Sequence, residues 1–210
     1  MRNALLGVAV LAAVGCTTKH PEVTDSAACI ESSERVEMLK LDVKSFDQTD
    51  GQGWRLIADR GCYSEAAELI ADYRAQAVDP NIARHHQIQM HAAAEEREQA
   101  IILLDELIVD DKTNEEWANL HYRRATRAFL ASDLEALQAC RADLAALPIP
   151  SGFADAAERF QRDYPDFPAP KWPPNLDVVD AFISCFDKSY NEAYSGEACR
   201  DAGKATAYGG

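Results

Sequence analysis

Apolar residues recur along this chain at intervals of three and four, the spacing that lines up one face of an α-helix. In IESSERVEMLKLDVKSF, Val36, Leu39, Val43 and Phe46 make one such stripe and predict a single helix. Thr49-Asp50-Gly51-Gln52-Gly53 breaks it; a helix resumes at Trp54 and stops at Gly61. The next runs from Ser64 to Ala77, with Asp79-Pro80 as its stop. Further helices are expected over 82–94, 97–109, 115–130 and 133–147. Alternation of period two is nearly absent, so the pattern predicts an all-α chain.

The connections are short. Gly61-Cys62, Glu95-Glu96 and Ser132-Asp133 leave room only for antiparallel helical hairpins. Each second helix opens on a long side chain followed three places later by a small or apolar one: Tyr63–Ala66, Arg97–Ala100, Leu134–Leu137 and Tyr190–Ala193. Twelve residues before each anchor stand Trp54, Ile88, Ala125 and Ala181, all apolar. From Ala66 to Ala100 is 34 residues, and from Ala100 to Leu137 is 37.

With turns such as GCYSEA and KSYNEA, this spacing resembles the tetratricopeptide (TPR) repeat, a helix–turn–helix unit of about 34 residues. The likeness spans roughly 50–147, with a degenerate unit at 176–199. It departs from the family where Trp54 and Ile88 replace a small residue, and where Arg97 replaces the turn aromatic. The resemblance implies a short α-solenoid of TPR-like hairpins over 30–147, each stacked on the next around a shared apolar seam. It also implies a concave groove lined by first helices. Counted from the anchors, the groove-facing positions are Arg55, Asp59, His85, Gln89, Tyr122 and Thr126.

Residues 148–175 carry seven prolines, which forbid a continuous helix. One short helix, about Gly152–Arg162, puts Phe153, Ala156, Ala157 and Phe160 on one side. Tyr164, Phe167 and Trp172 then lie in extended chain. Such a segment is expected to lay its aromatics on a helical surface, as a capping strap over the open end of the array. A terminal hairpin over 176–200 follows, with Leu176, Val179, Phe182, Ile183 and Phe186 on its first helix and a second helix cut short at Gly196. Residues 201–210 are expected to be a flexible tail.

The start of the chain reads as an address. One early cation, Arg2, precedes the uncharged stretch Ala4–Gly15, too short to span a bilayer and consistent with a signal peptide over 1–15. LAAVGC resembles the lipobox of bacterial lipoproteins, which implies lipidation at Cys16. Thr17 after it implies the outer membrane, facing the periplasm, with residues 16–29 as a polar tether. An ordinary cleaved signal, giving a secreted or periplasmic protein, is the alternative. The net charge of −14 becomes one more negative once Arg2 leaves, which disfavours nucleic acid and anionic lipid heads. Membrane attachment would rest on the lipid.

Five cysteines follow Cys16. In an exported protein they are disulfide candidates, and the preferred pairs are Cys29–Cys62 and Cys185–Cys199. Gly196 lets the chain fold back and bring the second pair close. Cys140, on an apolar helical stripe, is read as a small buried hydrophobe.

Signatures of chemistry are sparse. There is no G-x-S-x-G, no H-E-x-x-H and no phosphate loop, so no cofactor is expected. His85, His86 and His91, joined by His121, lack the i, i+4 spacing that puts two ligands on one helix face. Arg123, Arg124 and Arg127 are expected to pair with Glu95, Glu96, Glu98 or Asp133, and Trp54 and Trp117 to be core. The expectation is therefore a non-catalytic exported lipoprotein that scaffolds a protein or peptide partner in the envelope. The alternative is a small-ligand or metal-binding lipoprotein using His85, Gln89 and His121.

Overall fold

A computed structural model describes residues 29–79, 81–114 and 116–208. The expected signal peptide, Cys16 and most of the expected tether lie outside them. The described residues form eleven α-helices and one π-helical turn, with no strand among them.

Three helical hairpins carry the middle of the chain: α2 (Gly53–Asp59) with α3 (Tyr63–Gln76), α4 (Arg84–Ala93) with α5 (Arg97–Thr113), and α6 (Trp117–Leu130) with α7 (Leu134–Ala145). Each helix packs on the next along the sequence. All three first helices end the same way. Gly61, Glu95 and Ser132 take left-handed φ values of +79°, +59° and +56°. The following N–H then reaches back five residues, Cys62 to Ile57, Glu96 to His91 and Asp133 to Ala128. That closure satisfies carbonyls a helix end would otherwise strand, and it turns the chain in two residues.

Each second helix therefore begins within one residue of its expected start, at Tyr63, Arg97 or Leu134. Its fourth position, Ala66, Ala100 or Leu137, has no exposed surface, nor does Ala193 in the later α10 (Tyr190–Ser195). Trp54, Ile88, Ala125 and Ala181 are buried opposite them.

The apolar interior is divided, and the expected continuous seam is corrected on this point. One cluster centres on Phe46, Ile57, Leu69 and Ile70, the other on Ile88, Leu104, Phe129 and Phe182. Between α3 and α4 lies a polar layer. Glu96 accepts from Ser64 and pairs with His91 at 2.6 Å, and Arg74 donates to Gln87.

The single helix expected over 30–46 is broken. α1 covers Ser32–Met38, and a π-helical turn covers Lys44–Gln48. Asp42 explains the break, because its carboxylate accepts from the N–H groups of Lys44 and Ser45 at 3.0 and 3.1 Å and starts a new helical turn. Val36 and Val43 are consequently exposed, while Met38 and Phe46 are buried. Phe46 stacks on Tyr73 with ring centroids 3.7 Å apart.

The C-terminal third departs most from expectation. α8 (Phe153–Asp163) is amphipathic but has no buried residue. The proline-rich strap does not spread its aromatics over the array; Phe160, Tyr164 and Phe167 pack on one another instead. Trp172 pins the strap, donating from Nε1 to the Leu147 carbonyl at 3.2 Å and meeting Phe153 edge to face.

α9 (Leu176–Ser184) packs against both α6 and α7. Arg141 of α7 grips the buried Asp180 carboxylate with two hydrogen bonds, 2.8 and 3.0 Å. The expected loose tail is helix α11 (Glu197–Tyr208), laid along α9. Gly203 makes this possible: a Cβ there would stand 2.1 Å from the Asp177 carbonyl oxygen and 2.7 Å from the Ala181 nitrogen.

Both expected disulfides are present. Cys29–Cys62 and Cys185–Cys199 each have Cα atoms 5.9 Å apart. Cys140 is free and half-buried against the larger cluster, and burial raises its thiol pKa. Disulfides mark an oxidising, extracytoplasmic compartment. No helix among the described residues is long and apolar enough to cross a membrane.

Candidate partner-binding face

The first helices α2, α4 and α6 carry a connected row of polar side chains. It starts at Asp47, a buried carboxylate that accepts from Trp54 Nε1 at 3.0 Å and faces His86 Nδ1 at 2.7 Å, with Gln48 as a further donor. Burial acts to raise the Asp47 pKa. The bonds from His86, Trp54 and Gln48, with the charge of His86, more than offset it and hold the group below its usual value. Arg55 is fixed beside this hub: Nε donates to the Asp47 carbonyl at 2.9 Å, and the guanidinium lies 4.5 Å above the Trp54 ring. Asp59, one turn further along α2, is exposed.

On α4, the His85 ring lies 6.3 Å from that of His86 and 5.9 Å from that of Tyr122 on α6. Its Nδ1 is buried without a hydrogen-bond partner. Burial, then the nearby positive charges of Arg123 and His86, push its pKa down to about 4. Gln89 and Tyr122 are also buried, and Thr126, which donates to the Tyr122 carbonyl at 3.0 Å, is only 2% exposed. Desolvation drives the Tyr122 phenol pKa far above its ordinary value.

What covers the middle of this row is the chain itself. α10 crosses back onto α4, where Gln89 Nε2 donates to the Tyr194 hydroxyl at 2.7 Å. Tyr190 stacks on Tyr194 with centroids 5.4 Å apart and is buried in the same apolar cluster as Tyr122. Asn191 reaches Tyr63 at the start of α3. Of the six residues assigned to a groove, Asp59 is exposed and Arg55 and His85 are half-buried; Gln89, Tyr122 and Thr126 are buried, Gln89 against Tyr194 of α10.

Three expectations about side chains are corrected. Arg123 and Arg127 do not pair with Glu95, Glu96, Glu98 or Asp133, but with Asp111 and Asp105 of α5, the helix packed against α6. Trp54 is core; Trp117, at the first position of α6, is 47% exposed. His121 turns toward α7, its Nδ1 3.7 Å from Asp143, and so does not converge with His85 and Gln89. Among the described residues one group has metal-ligand spacing, Cys29, Cys62 and Glu65, and its two sulfurs are bonded to each other.

A second feature escaped the sequence reading, an open cleft of about 680 Å³ where the start of α6, the chain leaving α7 and the strap meet. Trp117 and Trp172 face it, with Leu147, Pro148, Ile149 and Glu116. Its only sequence signal was aromatics set among prolines, in a segment far from α6.

No family model matches this chain, and no curated protein or solved structure matches it.

Proposed function

We propose that this protein is a non-catalytic interaction scaffold or assembly factor of the bacterial envelope, built on TPR-like hairpins. Acyl chains on Cys16 anchor it in the outer membrane, and the folded body faces the periplasm. The observation that carries the scaffold reading is the common closure of the three hairpins: one left-handed residue, one five-residue back-bond, and one fully buried anchor four positions into the next helix. Repeated two-helix units present long surfaces suited to partner proteins. The disulfides agree with export. The function follows from the resemblance and the open surfaces, since a helical architecture alone hosts many activities.

Arg55 and Asp59 form the accessible edge through which a partner would engage the α2–α4–α6 face. A partner reaching Gln89 or Tyr122 would have to displace Tyr194. The test is cross-linking capture from envelopes with the wild type, Arg55→Glu and Tyr194→Ala. A specific partner lost with Arg55→Glu and enhanced with Tyr194→Ala supports this face; an identical partner list in all three removes it. Metabolic acyl labelling, present in the wild type and absent in Cys16→Ser, tests the anchor.

A further inference from the structure

We infer that the Trp117–Trp172 cleft is a binding site for an extended, proline-containing cationic peptide segment of another protein. The inference rests on reading the protein as an interaction module.

The two walls differ in rigidity. The Trp172 indole is held along both edges, by the Leu147 carbonyl and by the Phe153 ring. Trp117 projects from the first residue of α6 and keeps about half its surface exposed, at 47%. Between them Pro148-Ile149-Pro150 runs without regular structure, with Ile149 69% exposed. A cleft of about 680 Å³ with such walls has room for several residues of an extended ligand. Aromatic-lined grooves of this kind suit a polyproline helix, which is already ordered before it binds and loses little entropy.

The ionised and aromatic side chains of the cleft carry one sign. Two indole faces present negative π-density, which attracts guanidinium and ammonium groups. The prolines contribute carbonyls and no N–H. Glu116 is the one ionised residue of the lining. Its Oε2 accepts from Asn119 Nδ2 at 2.6 Å. Glu116 also precedes α6, so its charge counters the positive end of that helix. The chain as a whole, at −14, draws cationic partners and repels acidic ones. Lysine or arginine flanked by prolines is the chemistry that complements this surface.

Fluorescence anisotropy of a labelled eight-residue peptide alternating Pro and Arg, titrated with the purified full chain, tests the site. Saturable binding is expected, weakened at least tenfold by Trp117→Ala and several-fold by Glu116→Gln, with a smaller salt dependence in the latter. Trp117 is exposed, so its replacement leaves the core intact, which circular dichroism verifies. A peptide with Glu for Arg should not bind, and one with Gly for Pro should bind several-fold more weakly. Absence of binding overturns the proposal, as does equal binding to Trp117→Ala or equal binding of the acidic peptide. If envelope capture finds a partner that Trp117→Ala retains, the cleft assignment fails while the scaffold reading stands.

Discussion

Gln89 on α4 and Tyr194 on α10 are 105 residues apart in sequence and 2.7 Å apart in space, joined by a hydrogen bond from amide to hydroxyl. The bond ties the C-terminal helices to the face that the hairpins would otherwise present. Removing the hydroxyl leaves a buried amide hydrogen without an acceptor. Tyr194→Phe should therefore cost about 1–2 kcal/mol in urea unfolding. A null effect would mean that Gln89 finds another acceptor and the tie carries little.

Gly203 predicts a sharper penalty. An added methyl would meet backbone atoms of α9, which cannot rotate away as a side chain can. Gly203→Ala should separate α11 from α9 and destabilise the chain by about 1–3 kcal/mol, the range for overpacking. Gly61→Ala is the control. Nothing lies within 4 Å of a Cβ there, and only the φ of +79° opposes it, a cost of about 1 kcal/mol.

The same turn geometry predicts a gain. Ser132 occupies the left-handed position that Gly61 fills in the first hairpin, and its hydroxyl makes one long contact, 3.5 Å from Arg97. Ser132→Gly relieves the backbone and should raise stability by up to about 1 kcal/mol, read as a higher urea midpoint.

His85 predicts a loss on acidification. Burial and neighbouring cations hold its folded pKa near 4, against about 6.5 in the unfolded chain. As pH falls below 6.5 the unfolded chain takes the proton first. Stability is thus full above pH 6.5 and is lost as pH falls through 4. At pH 5 the deficit is about 2 kcal/mol. His121, whose pKa burial and Arg124 also lower, titrates in both proteins and drops out of a comparison. His85→Gln should lose correspondingly less between pH 7 and pH 5; equal slopes would show that His85 is not the group responsible.

The bridge from Cys185 to Cys199 encloses all of α10 at a separation of 14 residues. Replacing both cysteines with serine should cost about 3 kcal/mol. Mass mapping of the non-reduced protein should find this pair and Cys29–Cys62, with Cys140 alkylatable once unfolded. Any peptide showing Cys140 bridged contradicts the structure.

Much of this was legible locally. Ala66, Ala100 and Ala193 signalled close helix crossings because only a small residue fits them, and two-residue turns left the hairpins no other topology. Non-local events were hidden. Asp42 lies beside the stripe of Val36, Leu39, Val43 and Phe46, and its power to restart a helix shows only when its carboxylate meets two N–H groups. Gly203 fell in a stretch expected to be a flexible tail, although its missing side chain is what lets α11 approach α9. Gln89 kept the spacing of a groove residue, and no local pattern announces that a helix beginning 101 positions later will cover it. The Trp117 cleft draws its walls from three separate segments, so composition could hint at it but not assemble it.

The bond between Cys29 and Cys62 has a mechanical consequence. A force applied to the chain before Cys29 would enter the body through sulfur, at the turn before α3, and bypass the intervening residues. α1 and the π-helical turn sit inside a closed covalent loop and cannot be peeled away from that end. Under the proposed anchoring at Cys16, a pull on the N-terminus would displace the whole body together, and the first structure to feel it would be the hairpin junction at Gly61.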